Sequence, residues 1–558
     1  MIGYAILIIA YGLYHAKRSS SEGYFLAGRN MTWPIVGISL FAANISSSTL
    51  IGLAGSAFNT DTHVFNYEWL ASVVLVFFAI FFLPFYLRSQ VYTMPEFLER
   101  RYDSRSRYYF SFITIVGNVL IDTAAALYVG SIVLRLLFPS IPPWAIIVIL
   151  AFAAAAYTIP GGLNSVIQTE VVQAVLLILG SCMITYYAFD AVGGWGKFIA
   201  GLDAKAAAGE LVKTSHGEVV QTFGSAEEML SLVRPLGDPF MDWVGLLLGA
   251  PILGFYFWAN NQFMVQRVLG ARDLNHGRWG ALFAGLLKLP VLLIMVLPGT
   301  CAILLYANAD LTNIHYPLAE GGLCTNLRDC PDATYPLLLF NLLPKGIIGL
   351  VLAGLLAAMM SSVSATFNSA STLVTMDFIR TMRPQMTSQQ LVRAGQITTL
   401  VLVVLASMWA PVIEQFKSLF EYLQDILSYI APPVAATFIV GLFFKRANGT
   451  GSIACLGFGF LVSVIAVLSR TFGWFDWLND MHFLYRTAWL FFSCALINII
   501  ASLASAPPDP EQVSHYTWSS AMLKAESEEL SGLPWYKNYR VLAVLLLIVT
   551  FALVGYFW

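Results

Sequence analysis

The chain has 558 residues, of which 58% are hydrophobic and only 11% are charged. A typical water-soluble domain carries about 25% charged residues, so the apolar excess must face lipid. The net charge is −2 and no strongly basic segment is present, which argues against nucleic acid as a partner.

Apolar segments long enough to cross a bilayer recur along the whole chain. A spanning helix needs about 20 apolar residues because the hydrocarbon core is about 30 Å thick. Fourteen segments meet or approach this length, which predicts an all-α polytopic membrane protein with about 14 transmembrane helices. The segments lie at 2–16, 34–57, 66–87, 109–137, 142–159, 166–190, 241–266, 278–305, 338–373, 392–416, 418–443, 449–469, 485–505 and 539–557.

The basic residues concentrate in alternate loops. The set of loops that begins at 17–33 holds 19 of the 30 Lys and Arg residues, and the opposite set holds eight. Cytoplasmic loops carry the excess of Lys and Arg, so both termini are predicted to be extracytoplasmic. No N-x-S/T sequon falls in a loop predicted to lie outside. We therefore expect an integral plasma membrane protein, with a bacterial inner membrane favoured.

Two long polar loops, 191–240 and 306–337, are predicted to cover the outer face. Cys324 and Cys330 both lie in the second loop. A disulfide joins them only if the compartment oxidises thiols, and two free thiols are the alternative.

The first cluster of polar side chains at membrane depth lies at 44–49. Asn44 and the hydroxyl residues 46–49 form this cluster, and Gly52 and Gly55 follow it. Alternating-access transporters place their sites on helices interrupted near the bilayer midplane, where freed carbonyl groups coordinate a cation. Close helix packing through small residues is the alternative. The number of polar side chains here exceeds what packing needs, so this segment predicts a binding site.

A second cluster consists of Ser361, Ser362 and Ser364, which lie within one helical turn. Serines in membrane helices often only bond the carbonyl four residues back, which is the alternative. Two oxygen-rich segments that face each other would supply the several oxygen ligands that Na⁺ requires. The two clusters together predict a sodium site.

Three polar side chains in apolar surroundings are candidates for a solute site. A charge at the bilayer centre costs at least about 2.5–3.5 kcal/mol, which makes Lys288 conspicuous. Glu68 begins a predicted span, where a solvated interfacial carboxylate is the alternative, and Gln424 precedes a Pro-Pro pair. An ammonium, a carboxylate and an amide suit a neutral polyhydroxyl ligand. The aromatic residues 256–258 either stack on a sugar ring or fill the core.

Several motifs are typical of one transporter family. They are YFLAGR at 24–29, SLFAANI and LIGLAG within 39–55, EW at 68–69, YTMPEFLERRY at 92–102, QR at 266–267, SSVSATFNSASTLVTMD at 361–377, and YLQ, SYIAPP and FFKR within 422–446. Together they resemble the sodium/glucose cotransporter branch of the sodium:solute symporter family over nearly the whole chain. The resemblance implies a five-plus-five inverted-repeat core, with the interrupted helices 34–57 and 241–266 beginning the two halves.

The resemblance also implies a division of the chain and a set of site residues. The divisions are an N-terminal extra helix and cytoplasmic loop (1–33), a first repeat (34–190), an extracytoplasmic loop (191–240), a second repeat (241–445) and additional C-terminal helices (446–558). The implied sodium ligands are the backbone carbonyls of Ala42, Ile45 and Ala358 and the hydroxyls of Ser361 and Ser362. The implied sugar contacts are Asn44, Glu68, Lys288 and Gln424, with Trp258 beside them. The implied gates are Phe257 on the inner side and Leu53, Tyr67 and Phe420 on the outer side.

Three positions depart from the family pattern. Thr49 stands where these transporters usually carry a His or Gln that hydrogen-bonds the sugar, and Phe257 replaces a Tyr. Glu170 stands where an Asp supports a second sodium site with a hydroxyl at the position of Ser364, so that second site is open to doubt.

The function predicted from the sequence is sodium-coupled symport of a hexose such as galactose or glucose by alternating access. Sodium is the only cofactor that we expect, and sodium, a sugar or polyol, and the lipid bilayer are the expected partners. A symporter for inositol or another small organic solute is the alternative, although Glu68 disfavours a carboxylate substrate. A channel is a further alternative. No enzyme activity is expected, because all seven histidines lie in loops or near segment ends and offer no base at membrane depth.

Overall fold

The computed structural model describes residues 2–16, 20–138, 140–215, 218–306, 324, 326–411 and 419–558. In these ranges the protein is an all-α polytopic membrane protein with one short β-hairpin, as the composition predicts. The helices of the first part are α1 (Ile2–Tyr14), α2 (Ser21–Leu26), α3 (Trp33–Asn44), α4 (Ser47–Asn59), α5 (Asn66–Phe77), α6 (Leu83–Ser89), α7 (Met94–Arg101), α8 (Ser104–Val116), α9 (Ala124–Leu137), α10 (Pro143–Val192) and α11 (Trp195–Ala207).

The second part begins with the hairpin and continues with helices to the end of the chain. Its elements are β1 (Val212–Ser215), β2 (Glu218–Thr222), α12 (Ala226–Leu230), α13 (Trp243–Leu248), α14 (Ala250–Phe255), α15 (Gln262–Leu269), α16 (Leu274–Lys288), α17 (Leu297–Tyr306), α18 (Thr334–Leu342), α19 (Lys345–Leu373), α20 (Arg380–Met382), α21 (Ser388–Trp409), α22 (Leu419–Phe443), α23 (Gly449–Phe472), α24 (Asp476–Asp480), α25 (Phe483–Leu503), α26 (Pro510–Tyr516), α27 (Ser520–Ser531) and α28 (Tyr539–Tyr556).

Short segments of different helical pitch connect several of these helices. Two are 3₁₀ turns, Thr62–Phe65 and Pro331–Ala333. Five are π-helical, and they are Phe78–Phe82, Gly117–Thr123, Tyr256–Asn260, Leu292–Val296 and Val374–Ile379. Such π segments shift the helical register by one residue and frequently occur at functional sites.

The number of membrane spans depends on how the broken helices are counted. Eleven helical stretches of the described residues are long and apolar enough to cross a membrane, or twelve if the bent pair α3 and α4 forms one span. The fourteen predicted segments also include α1, of which Gly3–Tyr14 is a shorter apolar helix, and they divide α10 into two. The count of fourteen stays a prediction.

Helix α10 contains a sharp turn in its middle. A straight helix of its 50 residues would be about 75 Å long, more than twice the hydrocarbon thickness. The chain turns at Gly162, where φ is 56° and ψ is −153°, two residues after Pro160. A Cβ atom on Gly162 would lie 2.3 Å from the carbonyl oxygen of Tyr24, so the close approach also requires glycine. The turn falls between the two segments predicted at 142–159 and 166–190.

The helices that begin the two predicted repeats are both interrupted. Between α3 and α4 the backbone of Ile45 and Ser46 is extended, with ψ of 90° and 172°, and the two helices differ in direction by 61°. In the second half, the π-helical segment Tyr256–Asn260 ends at Asn261, where ψ is 126°, before α15 begins. The division of the chain into repeats stays a prediction.

Helix α3, which ends at the first interruption, packs against α16, α10 and α19. The most extensive packing in the molecule joins α10 to α19 and α3 to α16, and α3 also contacts α10 and α19. This arrangement brings the hydroxyl cluster of α19 and the C-terminal end of α16, where Lys288 lies, to the same place as the helix break.

A buried ion cluster attaches the β-hairpin to the C-terminal end of α4. The Lys213 ammonium nitrogen lies 2.8 Å from an Asp61 carboxylate oxygen and 2.9 Å from one of Asp238. The Arg234 guanidinium lies 2.9 Å from the same Asp61 oxygen. Burial by itself would raise the pKa of Asp61, but His63, Arg234 and Lys213 together hold that pKa well below its usual value. The carboxylate is therefore charged, and it anchors the loop 191–240.

The second predicted outer loop lies mostly outside the described residues. Its two cysteines are described, and a disulfide joins Cys324 to Cys330 with their Cα atoms 6.2 Å apart. Of the two alternatives that the sequence leaves open, the structure has the disulfide.

Candidate functional site

A cavity of about 200 Å³ lies beside the break between α3 and α4. Its wall comes from α3 and α4 on both sides of the break, from α5, α9, α14, α15, α19 and α22, from the π-helical segments Gly117–Thr123 and Tyr256–Asn260, and from the 3₁₀ turn Pro331–Ala333. Nine of the predicted site residues line it, namely Asn44, Thr49, Leu53, Tyr67, Glu68, Phe257, Trp258, Ser362 and Gln424. The side chain of Phe420, the remaining predicted gate residue, lies outside the described residues. The nine predicted residues come from five separate stretches of the chain, and they meet in one cavity.

The buried ion pair of Glu68 and Lys288 forms one part of the cavity wall. The Lys288 ammonium donates a hydrogen bond to the Glu68 carboxylate, and both side chains are buried. The ammonium nitrogen also lies 5.7 Å from the ring centre of Trp258, within cation–π range. Burying either charge alone would be costly, whereas the pair is neutral as a whole. Because Glu68 lines the cavity and Lys288 lies behind it, the carboxylate is the part of the pair that a solute would meet.

The helix break leaves a carbonyl of α3 without its usual helical donor. The Ser46 N–H lies 3.0 Å from the carbonyl of Asn44, not from that of Ala42 four residues back. The Ala42 carbonyl instead accepts a hydrogen bond of 3.2 Å from the Ser361 hydroxyl of α19. The two oxygen-rich segments that the sequence singles out therefore touch at this point.

Two buried oxygen atoms at the same place have no hydrogen-bond partner in the described part of the chain. They are the Ser362 hydroxyl and the side-chain oxygen of Asn44. A buried polar atom without a partner costs about 1–3 kcal/mol, so such atoms usually bind water, an ion or a ligand. Ile45 and Ala358, whose carbonyls are the other predicted ligands, are fully buried on the same two segments. Neutral oxygens of this kind fit a hard monovalent cation such as Na⁺.

The residues of the predicted second sodium site have other partners. The Glu170 carboxylate accepts hydrogen bonds from the Ser39 hydroxyl and from the Arg267 guanidinium, whose Nε lies 3.2 Å away. The Ser364 hydroxyl donates to the Ser361 carbonyl at 3.0 Å and lies 3.0 Å from the Tyr157 hydroxyl. The charge of Glu170 is thus balanced by a buried arginine.

Thr49 has a structural role at the start of α4. Its hydroxyl lies 3.2 Å from the Asn44 carbonyl, and its backbone N–H donates to the Ser46 hydroxyl at 3.1 Å, which caps the helix. The position for which the family resemblance implies a sugar contact therefore stabilises the helix break here. Phe257 stands edge-on to Trp258, with the ring centres 5.4 Å apart.

The cavity wall also includes polar residues that the sequence analysis did not single out, namely Asp122, Asp332 and Thr366. Asp122 could be recognised from the sequence, because it is a lone carboxylate in the apolar stretch NVLIDTAAAL. Asp332 lies in a polar loop, where nothing distinguishes it from other surface carboxylates.

Comparison with known proteins identifies the family of this chain. The model of the sodium:solute symporter family matches residues 24–459. The chain belongs to the sodium:solute symporter family. Sodium/glucose cotransporter 1 of Ovis aries is 32% identical over 558 aligned residues, which cover 95% of this chain and 82% of that protein. Sodium/myo-inositol cotransporter 2 of Oryctolagus cuniculus is 34% identical and covers 93% of this chain and 78% of that protein.

Solved structures of symporters share the fold of this family member. A Na⁺-coupled sialic acid symporter in a substrate-bound outward-open state superposes with a TM-score of 0.70 at 22% identity, covering 91% of this chain and 98% of that one. A transporter of the nucleobase-cation-symport-1 family superposes with a TM-score of 0.50 at 13% identity, covering 88% and 97%. At these identities the likeness concerns the fold alone.

Proposed function

We propose that the protein couples the entry of Na⁺ to the uptake of a neutral sugar or polyol by alternating access. The observation that carries the proposal is the shared cavity. It contains the partnerless oxygens at the helix break and the carboxylate of a neutral buried ion pair. A hexose such as galactose or glucose is the first candidate. Myo-inositol is the second, because inositol cotransporters are as similar to this chain as glucose cotransporters.

The proposed ligands of Na⁺ are the carbonyls of Ala42, Ile45 and Ala358 and the hydroxyls of Ser361 and Ser362. The ion would join α3 to α19, in place of the direct hydrogen bond between Ser361 and Ala42. Asn44, a proposed sugar contact, lies on the same break. Sodium and the sugar would then both stabilise the same arrangement of this helix break. Binding of either one would therefore raise the affinity for the other by the same factor.

The proposed driving force is sufficient for accumulation. One sodium ion that crosses a potential of about 100 mV contributes about 2.3 kcal/mol. A tenfold sodium gradient adds about 1.4 kcal/mol. The sum corresponds to an inside-to-outside concentration ratio of the solute on the order of several hundred. One sodium ion per transport cycle would therefore suffice to accumulate the solute.

We propose that both termini are extracytoplasmic and that the membrane is a bacterial inner membrane. The N–H of Leu232, in the outer loop 191–240, donates a 2.7 Å hydrogen bond to the carbonyl of Phe557. The C-terminal end therefore lies on the same side as that loop. The opposite, basic loops also meet one another, since the guanidinium of Arg101 donates to the carbonyls of Gly441 and Ala447.

The proposal is tested by uptake of labelled galactose, glucose and myo-inositol into proteoliposomes, with and without an inward sodium gradient. We expect saturable accumulation of at least one of them that requires sodium. Gln424→Ala should reduce this uptake at least tenfold, because the amide lines the cavity. Gln389→Ala, at an exposed position of α21, is the matched control and should leave uptake unchanged.

Two outcomes would contradict the proposal. Uptake that does not saturate and does not respond to sodium would indicate a channel. Equal, undiminished uptake by the Gln424 and Gln389 variants would remove the cavity from the transport path.

A further inference from the structure

Several acidic side chains line the cavity. Among the described residues it contains three carboxylates, Glu68, Asp122 and Asp332, and no Lys, Arg or His side chain. Lys288 balances Glu68 from behind the wall. No Lys, Arg or His partner of Asp122 lies among the described residues, and this carboxylate belongs to the middle of a membrane-spanning helix.

A local change of helical pitch places Asp122 in the wall. Asp122 belongs to the π-helical segment Gly117–Thr123, between α8 and α9. The neighbouring Thr123 hydroxyl donates to the Asn118 carbonyl at 2.6 Å, within this segment, and also lies 2.6 Å from the Thr366 hydroxyl of α19. These contacts attach the π-helical segment to α19, whose Thr366 lines the same cavity. The register of the segment, and with it the position of Asp122, is therefore fixed by packing.

We propose that Asp122 determines the charge preference of the substrate cavity. Sugars that carry an ammonium group are favoured over neutral sugars of the same shape, and sugars that carry a carboxylate are excluded. This inference rests on the proposed function and extends its substrate class from neutral sugars to sugars that carry an ammonium group. The physical reason is that a carboxylate in a cavity with apolar walls acts on a bound charge with little screening, and placing like charges together is costly.

The test is competition with labelled galactose uptake by unlabelled galactose, galactosamine and galacturonate. Galactosamine replaces one hydroxyl by an ammonium group, and galacturonate adds a carboxylate. In the unaltered protein we expect galactosamine to compete better than galactose, and galacturonate to compete worst. Asp122→Asn should weaken competition by galactosamine, relative to that by galactose, about tenfold. It should strengthen competition by galacturonate by a similar factor. Asp122→Glu keeps the charge and should retain the original order.

Two results would overturn the inference while leaving the proposed function intact. One is galacturonate competing as well as galactosamine in the unaltered protein. The other is an Asp122→Asn variant that transports galactose with unchanged competition ratios. The first of these needs no variant, so it decides the matter even if Asp122→Asn fails to fold.

A failure of the proposed function is recognised separately. If the unaltered protein takes up no sugar or polyol with sodium, the proposed function is wrong. The charge preference is then measured as the shift of the melting temperature of the purified protein with galactosamine or galacturonate at equal ionic strength. A larger shift with galactosamine, abolished in Asp122→Asn, supports the inference, and equal shifts or none overturn it.

Discussion

The family resemblance implies a sodium site at the helix break, and it draws attention to a second region around Glu170. The structure builds the two regions in different ways. At the helix break, the proposed ligands are neutral oxygens, and two buried oxygen atoms, those of Ser362 and Asn44, have no partner within the described ranges. Around Glu170, a charged oxygen ligand is present, but Arg267 and Ser39 already bond it. The first region has unused acceptor capacity, whereas the acceptor capacity of the second is occupied.

The difference shows why a carboxylate is not by itself a sign of a cation site. A buried carboxylate must be balanced, and a guanidinium that forms several hydrogen bonds to it does so permanently. A sodium ion at Glu170 would have to compete with Arg267 and would add a positive charge beside it. At the helix break no fixed charge is present among the proposed ligands, so an ion can enter and leave. Reversible binding of this kind is what transport requires.

Removal of Glu170 should have the largest effect on stability. Glu170→Ala leaves Arg267 buried without its counter-charge, which typically costs about 3–5 kcal/mol. We expect a large fall in the melting temperature of the purified protein, measured by thermal unfolding in detergent. The matched control is Glu22→Ala, which breaks the ion pair with Arg29 at a position where the Glu22 side chain is 48% exposed. Such exposed pairs contribute about 0–1 kcal/mol, so the control should melt close to the unaltered protein. Equal melting temperatures of the two variants would show that the buried ion pair contributes no more to stability than the exposed one.

Removal of the Ser362 hydroxyl should change sodium affinity without loss of stability. The hydroxyl has no partner within the described ranges, so Ser362→Ala breaks no hydrogen bond there and removes a buried polar atom. A hydrogen-bonding or ligand contact to a charged group contributes about 1.5–3 kcal/mol, so we expect the half-saturating sodium concentration to rise tenfold or more. Ser371→Ala is the control, because that hydroxyl lies on the same helix and donates to the Gly395 carbonyl at 2.7 Å.

The Ser362 prediction is measured as sodium-dependent uptake at a fixed sugar concentration. An unchanged sodium requirement in Ser362→Ala would remove this residue from the ion site. An equal rise in the Ser371 variant would point to a general change in the helix.

The fold class and the position of the first helix break follow from local sequence features. Apolar length identifies the spans, and the polar run from Asn44 to Thr49 marks the place where α3 ends and α4 begins. The turn in α10 also has a local signal, since Pro160 precedes two glycines. The span count is less certain from sequence, because hydropathy shows where apolar segments lie but not whether a bent segment crosses once or twice.

Local sequence features do not predict contacts between distant parts of the chain. Glu68 and Lys288 are each conspicuous as intramembrane charges, but their ion pair depends on the packing of α5 against α16. The pairing of Glu170 with Arg267 likewise depends on packing between the two halves. Asp122 has the same local signal as Lys288. Its place in the cavity wall, however, follows from a π-helical segment that a periodicity of 3.6 residues does not reveal.

The smallest expected effect concerns the number of sodium ions in each cycle. If Arg267 occupies the second region permanently, only the helix break binds sodium, and one ion should move with each sugar. We expect sodium activation of uptake with a Hill coefficient of about 1, measured at saturating sugar and fixed membrane potential. A coefficient near 2 that falls to 1 in Ser364→Ala would show that the second region binds sodium after all. Since Ser364 bonds the Ser361 carbonyl at 3.0 Å, that result would also mean that the region rearranges during transport. The two regions would then differ in this way in only one conformation of the protein.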